Sequence, residues 1–77
     1  MCKVVAVKAL DDYRLELQFN SGERRVFHAR PYLDKGIFAE LKDPGYFQSV
    51  RVAFGSVTWP HEQDFSPETL YLESKPL

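Results

Sequence analysis

Tyr13, Leu15, Leu17 and Phe19 alternate with Arg14, Glu16 and Gln18, a period of two that sets four large apolar side chains on one strand face. The valine-rich run before it, residues 3–10 (KVVAVKAL), stops at Asp11-Asp12 and reads as a first strand entering a turn. Asn20-Ser21-Gly22 supplies the next turn, with Gly22 free to take positive φ. A third strand runs from Arg24 through Ala29. With Ser21-Gly22 as a two-residue loop, Asn20 opposes Glu23, Leu17 opposes Val26 and Leu15 opposes His28. The predicted unit is a three-stranded meander with one apolar face.

Pro31 ends that strand, because it cannot donate to a ladder and biases Arg30 toward extended backbone. Between Asp34 and Lys42 the apolar residues Ile37, Phe38 and Leu41 fall on one side of a short helix, with Asp34 as its N-cap. Asp43-Pro44-Gly45 is a turn, or the cap and first turn of a helical stub carrying Tyr46 and Phe47. Val50–Phe54 reads as a fourth strand, turned by Gly55-Ser56 into a fifth, Val57-Thr58-Trp59, which Pro60 closes. Ser66 caps a last helix with Pro67 in its first position and Glu68 in its first turn; Leu70, Tyr71 and Leu72 are its packing residues. The expected fold class is α+β: a small antiparallel sheet (three-stranded meander, short helix, second hairpin) with a short C-terminal helix, in one domain, 1–77.

Seventy-seven residues leave room for one core, and a chain this short buries roughly 60% of its unfolded surface. With 44% hydrophobic and 27% charged residues, wholesale disorder is not expected. A net charge of −1 argues against general affinity for nucleic acid or anionic membrane. Residues 1–35 carry seven Lys/Arg against five Asp/Glu, and residues 36–77 three against six, an asymmetry too small to name a partner. Cys2 is the single cysteine, which excludes an internal disulfide. Lys8 interrupts the N-terminal apolar run, so no signal peptide is read there, and no apolar stretch approaches the ~20 residues of a membrane span. The expected compartment is the cytoplasm.

No chemistry-bearing constellation emerges. His61-Glu62-Gln63-Asp64 is the densest set of potential metal ligands, but a zinc-protease pattern needs two histidines one helical turn apart, and Pro60 favours a loop. It reads as a solvated turn. His28 reads as a strand residue, and Asp11-Asp12 as turn formers whose carboxylates diverge. Cys2 carries no hint of a lowered pKa, the serines sit in turns or caps, and the glycines are too scattered to cradle a phosphate. No catalytic, cofactor-binding or metal residue is expected, and no cofactor. Arg24, Arg25, Arg30 and Lys35, with Phe27 and Tyr32 nearby, are the best nucleic-acid candidate; they also read as charges that protect a sheet edge from pairing.

Phe38-Ala39-Glu40-Leu41-Lys42-Asp43, Tyr46-Phe47 and Trp59-Pro60 followed by Asp64, Pro67, Leu70 and Tyr71 resemble a bacterial family of small domains of unknown function, number 2442. Tyr13-x-Leu15-x-Leu17-x-Phe19, Gly22 and Pro31-Tyr32-Leu33 extend the likeness over nearly the whole chain, and the Trp-Pro to Leu-Tyr segment is its specific part. Where this chain has His61-Glu62-Gln63 the family often has a small or Gly-containing turn. The resemblance implies a compact α+β fold without an established activity. Fusions of relatives to helix-turn-helix segments, and neighbouring small proteins, imply a regulatory or toxin–antitoxin-like partnership.

The physical reading of that motif is structural. Trp59 offers a large apolar surface, Pro60 fixes the chain direction, Asp64 accepts backbone N–H groups in the 60–66 loop, and Leu70 and Tyr71 pack back on Trp59. The functional expectation is a non-catalytic protein-interaction module, antitoxin-like or adaptor, with a protein partner or self-association and no membrane. Its weakly charged 50–59 hairpin supplies the contact, through Arg51, Val52 and Phe54. The rivals are a nucleic-acid-binding regulator using the Arg24/Arg25/Arg30 edge and a small-molecule sensor using the aromatic surface.

Overall fold

Strand β1 (Val4–Leu10) runs antiparallel to β2 (Arg14–Phe19), and β2 to β3 (Arg24–His28), as the alternating pattern requires. The computed structural model describes residues 2–77; Met1 lies outside the described residues. After the meander come a 3-10 turn (Arg30–Tyr32), a longer 3-10 run (Gly36–Lys42) and the one-turn helix α1 (Pro44–Phe47). Then follow β4 (Arg51–Ala53), β5 (Ser56–Thr58), β6 (Asp64–Phe65), helix α2 (Pro67–Glu73) and β7 (Lys75–Pro76). The strands form two antiparallel sheets, ordered β1-β2-β3-β7 and β4-β5-β6. The fold is α+β.

The two sheets share one core. Leu15, Leu17 and Phe19 from β2, Phe27 from β3, Val57 from β5 and Phe65 from β6 are buried in it together with Trp59 and Leu70. Phe27 meets Phe65 edge-on at 5.0 Å, which joins the sheets directly. No helix among the described residues is long and apolar enough to cross a membrane.

The register of the β2–β3 hairpin differs by one residue from the sequence reading. Leu15 pairs with Phe27 and Leu17 with Arg25. Phe19 N–H donates to Glu23 O (2.9 Å) and Gly22 N–H to Phe19 O (2.8 Å), so the loop has three residues, with Gly22 at φ 91. That loop type ends in a left-handed residue. Because a one-residue slip exchanges the faces, it puts Phe27 rather than the smaller Val26 into the core.

The 34–42 segment is 3-10, not α-helical, and Asp34 does not cap it; its carboxylate pairs with Lys42 at 2.8 Å. Three residues per turn bring Phe38 and Leu41 onto one face and turn Ile37 out, 64% exposed. Arg30 lies in a 3-10 turn with Pro31 rather than in extended chain. Asp43 does cap α1, accepting from Gly45 N–H (3.0 Å), and Ser66 caps α2, accepting from Thr69 N–H (3.1 Å). Leu72 is not a packing residue: it is 78% exposed, because a helix this short buries one stripe, here Leu70 with Tyr71 half-buried.

Strands β6 and β7 were not legible as strands. β6 replaces the expected 60–66 loop contact: Asp64 is an exposed ladder partner of Thr58, and its carboxylate caps nothing. β7 pairs with β3, Arg25 opposite Pro76 and Val26 opposite Lys75, so backbone covers the edge that charge was expected to protect.

Candidate interaction surface

The β4–β5 hairpin turns at Phe54-Gly55, one residue earlier than the sequence suggested, because Ala53 pairs with Ser56. Both turn residues have positive φ, 53 at Phe54 and 75 at Gly55, which defines a type I′ turn. Such turns match the strand twist but favour Asn or Gly in the first place. A phenylalanine there carries roughly 1–2 kcal/mol of backbone strain. Its side chain is fully exposed (104%), so burial in this chain does not offset the strain.

Beside the hairpin lies an open groove of about 520 Å3. Arg51 and Phe54 form one flank, while Pro60, Glu62, Asp64 and Pro67 form the other. Of the three residues expected to make contacts, Val52 does not line it. Val52 pairs with the fully buried Val57 on the face opposite Arg51 and Thr58, and at the sheet edge it remains 37% exposed.

The structural motif divides in the same way. Trp59 is 1% exposed, donates from Nε1 to Phe47 O (2.9 Å), and has Phe47 and Phe65 as ring neighbours. Tyr71 instead meets Phe19 edge-on, donates to Glu23 (3.0 Å) and lies under the Arg25 guanidinium (4.4 Å). Thus Trp59 ties β5 to α1, and Tyr71 ties α2 to the large sheet. Pro60, Asp64 and Pro67 belong to the groove.

Gln63 holds the groove's second flank in place. Its side chain is buried; Nε2 donates to Ile37 O (3.1 Å) and Glu40 Oε1 (2.9 Å), and Oε1 accepts from the Tyr46 hydroxyl (2.6 Å). The Tyr46 oxygen accepts in turn from His61 N–H (2.9 Å), and His61 Nδ1 lies 2.7 Å from Glu40 Oε2. His61 and Gln63 together hold the Glu40 carboxyl below its usual range. The sequence showed no periodic signal for this ring of contacts, because a buried Gln in a polar tetrapeptide looks like a solvated turn.

Pro60-His61-Glu62 is a three-residue loop with the hydrogen bonding of Asn20-Ser21-Gly22: Trp59 N–H donates to Gln63 O (3.0 Å) and Glu62 N–H to Trp59 O (2.9 Å). Glu62 takes the left-handed place, φ 71. Two strained non-glycine residues therefore stand on opposite sides of one groove.

The basic group reads differently once placed. Arg24 pairs with Glu16, Arg25 with Glu23 (2.5 Å), and Arg30 with Asp12. Arg25 also donates to Ser74 Oγ and Ser74 O, both at 2.7 Å. Hydrogen bonds from Arg25 and then Tyr71 hold the Glu23 carboxyl low, and Arg30 does the same for Asp12. Arg14 donates to Asp11 O (3.0 Å). Arg51 is the one arginine among the described residues without such a partner. Among the described residues no group of three or more His, Cys, Asp or Glu side chains could hold a metal ion. Cys2 is a half-buried free thiol.

A two-sheet α+β domain with a strained, unpaired groove on its smaller sheet is the class that fold and surface define. The chain belongs to the family of proteins of unknown function designated DUF2442, which matches residues 4–76. No curated protein and no solved structure matches it.

Proposed function

We propose that this chain is a non-catalytic, cytoplasmic protein-interaction module that meets its partner through the groove beside the β4–β5 hairpin. The observation that carries the reading is the pairing of a fully exposed Phe54 on a strained turn with an arginine that has no internal partner. Aromatic and arginine side chains are the usual anchors of protein interfaces. Strain that contributes nothing to the isolated fold is compatible with selection for contact. The antitoxin-like or adaptor role implied by the family resemblance is the form of partnership we propose. Nucleic-acid binding through Arg24, Arg25 and Arg30 finds less support, because all three guanidinium groups already face carboxylates.

The test is capture from a native-host lysate with the immobilised wild type and with Phe54→Asp. One stoichiometric protein held by the wild type and lost by the variant, at unchanged circular dichroism, is the expected result. Equal capture by both would move the interface away from the hairpin.

A further inference from the structure

Arg51, Thr58 and Asp64 form one row across the small sheet, since Arg51 pairs with Thr58 and Thr58 with Asp64. Residues in register share a face, and two strand spacings separate the outer members by roughly 10 Å. This row lies on the outer face, because the fully buried Val57 alternates with Thr58 along β5. Arg51 and Asp64 are both exposed, and neither side chain has a hydrogen bond or ion pair within the chain. Glu62, also exposed, adds a second negative group on the Asp64 side of the groove. On the outer face between the flanks the strands carry a floor of small side chains, Ala53, Ser56 and Thr58, while the buried Val57, Trp59 and Phe65 line the groove beneath them.

We infer that the occupant of this groove is a second copy of the same chain, packed face to face about a two-fold axis parallel to β5 and passing above Thr58. The inference rests on the interaction-module reading and names its partner. A two-fold axis along the strands exchanges the flanks, so each Arg51 lies over the other copy's Asp64, and two ion pairs form at once. An axis along the row would set arginine over arginine and is disfavoured. A surface that is positive on one flank and negative on the other is complementary to itself, which an isologous interface requires. The small floor lets the two sheets approach to about the 10 Å of a sheet sandwich. The same operation brings the two Phe54 rings side by side at the hairpin tips, where mutual burial offsets the strain of each turn. The net charge of −1 offers little repulsion to self-association.

Purified chain alone tests this, by sedimentation equilibrium from about 10 µM to about 1 mM, a range that covers small, transient interfaces. The wild type is expected to show a monomer–dimer equilibrium. Arg51→Glu and Asp64→Arg each place two like-charge pairs in the homodimer and are expected to weaken it about tenfold or more. Mixing the two variants restores opposite charges at both positions, so a heterodimer of near wild-type strength is expected. Both sites are exposed, and circular dichroism checks that each variant is folded. A wild type that stays monomeric across the range overturns the inference. So does a dimer that both reversals leave intact, or a mixture that fails to associate better than its components. The two readings fail separately: a monomeric chain whose lysate capture still depends on Phe54 keeps the interaction-module reading and loses the second copy, whereas capture that Phe54→Asp leaves unchanged overturns the broader reading.

Discussion

The loops Asn20-Ser21-Gly22 and Pro60-His61-Glu62 make the same pair of backbone hydrogen bonds and differ in who occupies the left-handed place. In the large sheet it is Gly22, with nothing within 4 Å of where a Cβ would stand. In the small sheet it is Glu62, although the β1–β2 turn of the large sheet also holds non-glycine residues at positive φ, Asp12 and Tyr13. The contrast extends to the charges nearby. Around the large sheet Arg24, Arg25 and Arg30 each meet a carboxylate, and the β3 edge is covered by β7. Around the groove Arg51 and Asp64 meet none, and Phe54 is bare. One half of the molecule is resolved internally; the other holds unpaired groups in place with a rigid polar ring around Gln63. The chain thus separates what keeps it folded from what it offers outward.

The largest effect is expected where the two halves join. Trp59→Ala removes a fully buried ring and the bond to Phe47 O, and should destabilise by roughly 3–5 kcal/mol. Chemical denaturation reads it, and a loss below about 1 kcal/mol would mean that the sheets hold together without the ring. Next comes Arg25, whose side chain is only 12% exposed. Arg25→Lys should lose roughly 1.5–3 kcal/mol, since an ammonium cannot serve Ser74 Oγ, Ser74 O and Glu23 with one planar fork. The same change at Arg51 should leave the melting temperature unmoved, which sharpens the contrast between a structural and an outward-facing arginine.

The paired loops give a smaller effect of opposite signs. Gly22→Ala should lose about 1–2 kcal/mol, whereas Glu62→Gly and Phe54→Asn should gain up to about 1 kcal/mol each. Equal losses at all three positions would mean that the left-handed backbone at Phe54 and Glu62 carries no strain. The smallest effect is the acid limb. The Glu23 carboxyl is held low by Arg25 and Tyr71, so its contribution is complete above the ordinary carboxylate range and disappears as pH falls through the lowered value. Glu23→Gln should therefore flatten stability against pH on the acid side by lowering the plateau above pH ~6, and should differ least from the wild type at low pH.

Much of the large sheet was legible because its strands are long enough to show alternation. Leu15, Leu17 and Phe19 could be placed on a face from spacing alone, whereas Tyr13, read as their strand neighbour, lies in the 3-10 turn before β2; Asp43 and Ser66 announced their helices. The register slipped because a two-residue and a three-residue loop both accept Ser21-Gly22, and only the size of Phe27 relative to Val26 decides between them. Ile37 was misplaced because three-residue and 3.6-residue turns look alike over two turns. The two-residue strands β6 and β7 are too short to carry any period. Of the groove, Arg51 and Phe54 could be named from the low charge of their hairpin. The unpaired Asp64 across from Arg51 could not, because its partner row exists only once β6 has paired with β5.

The seam between β3 and β7 has a consequence for how the molecule breathes. It rests on two ladder positions, one of them a proline without an N–H, a bond from Leu77 N–H to Arg24 O (3.0 Å), and the Arg25 contacts to Ser74, 49 residues away along the chain. A seam with so few ladder bonds is expected to open before the core does. Such an opening would leave the outer backbone groups of residues 24–26 unpaired. Hydrogen exchange should find the Leu77 amide, which crosses that seam, releasing its proton well before the amides of β2, which is flanked by strands on both sides. The large sheet, the quieter half at rest, is then expected to exchange first along this one seam.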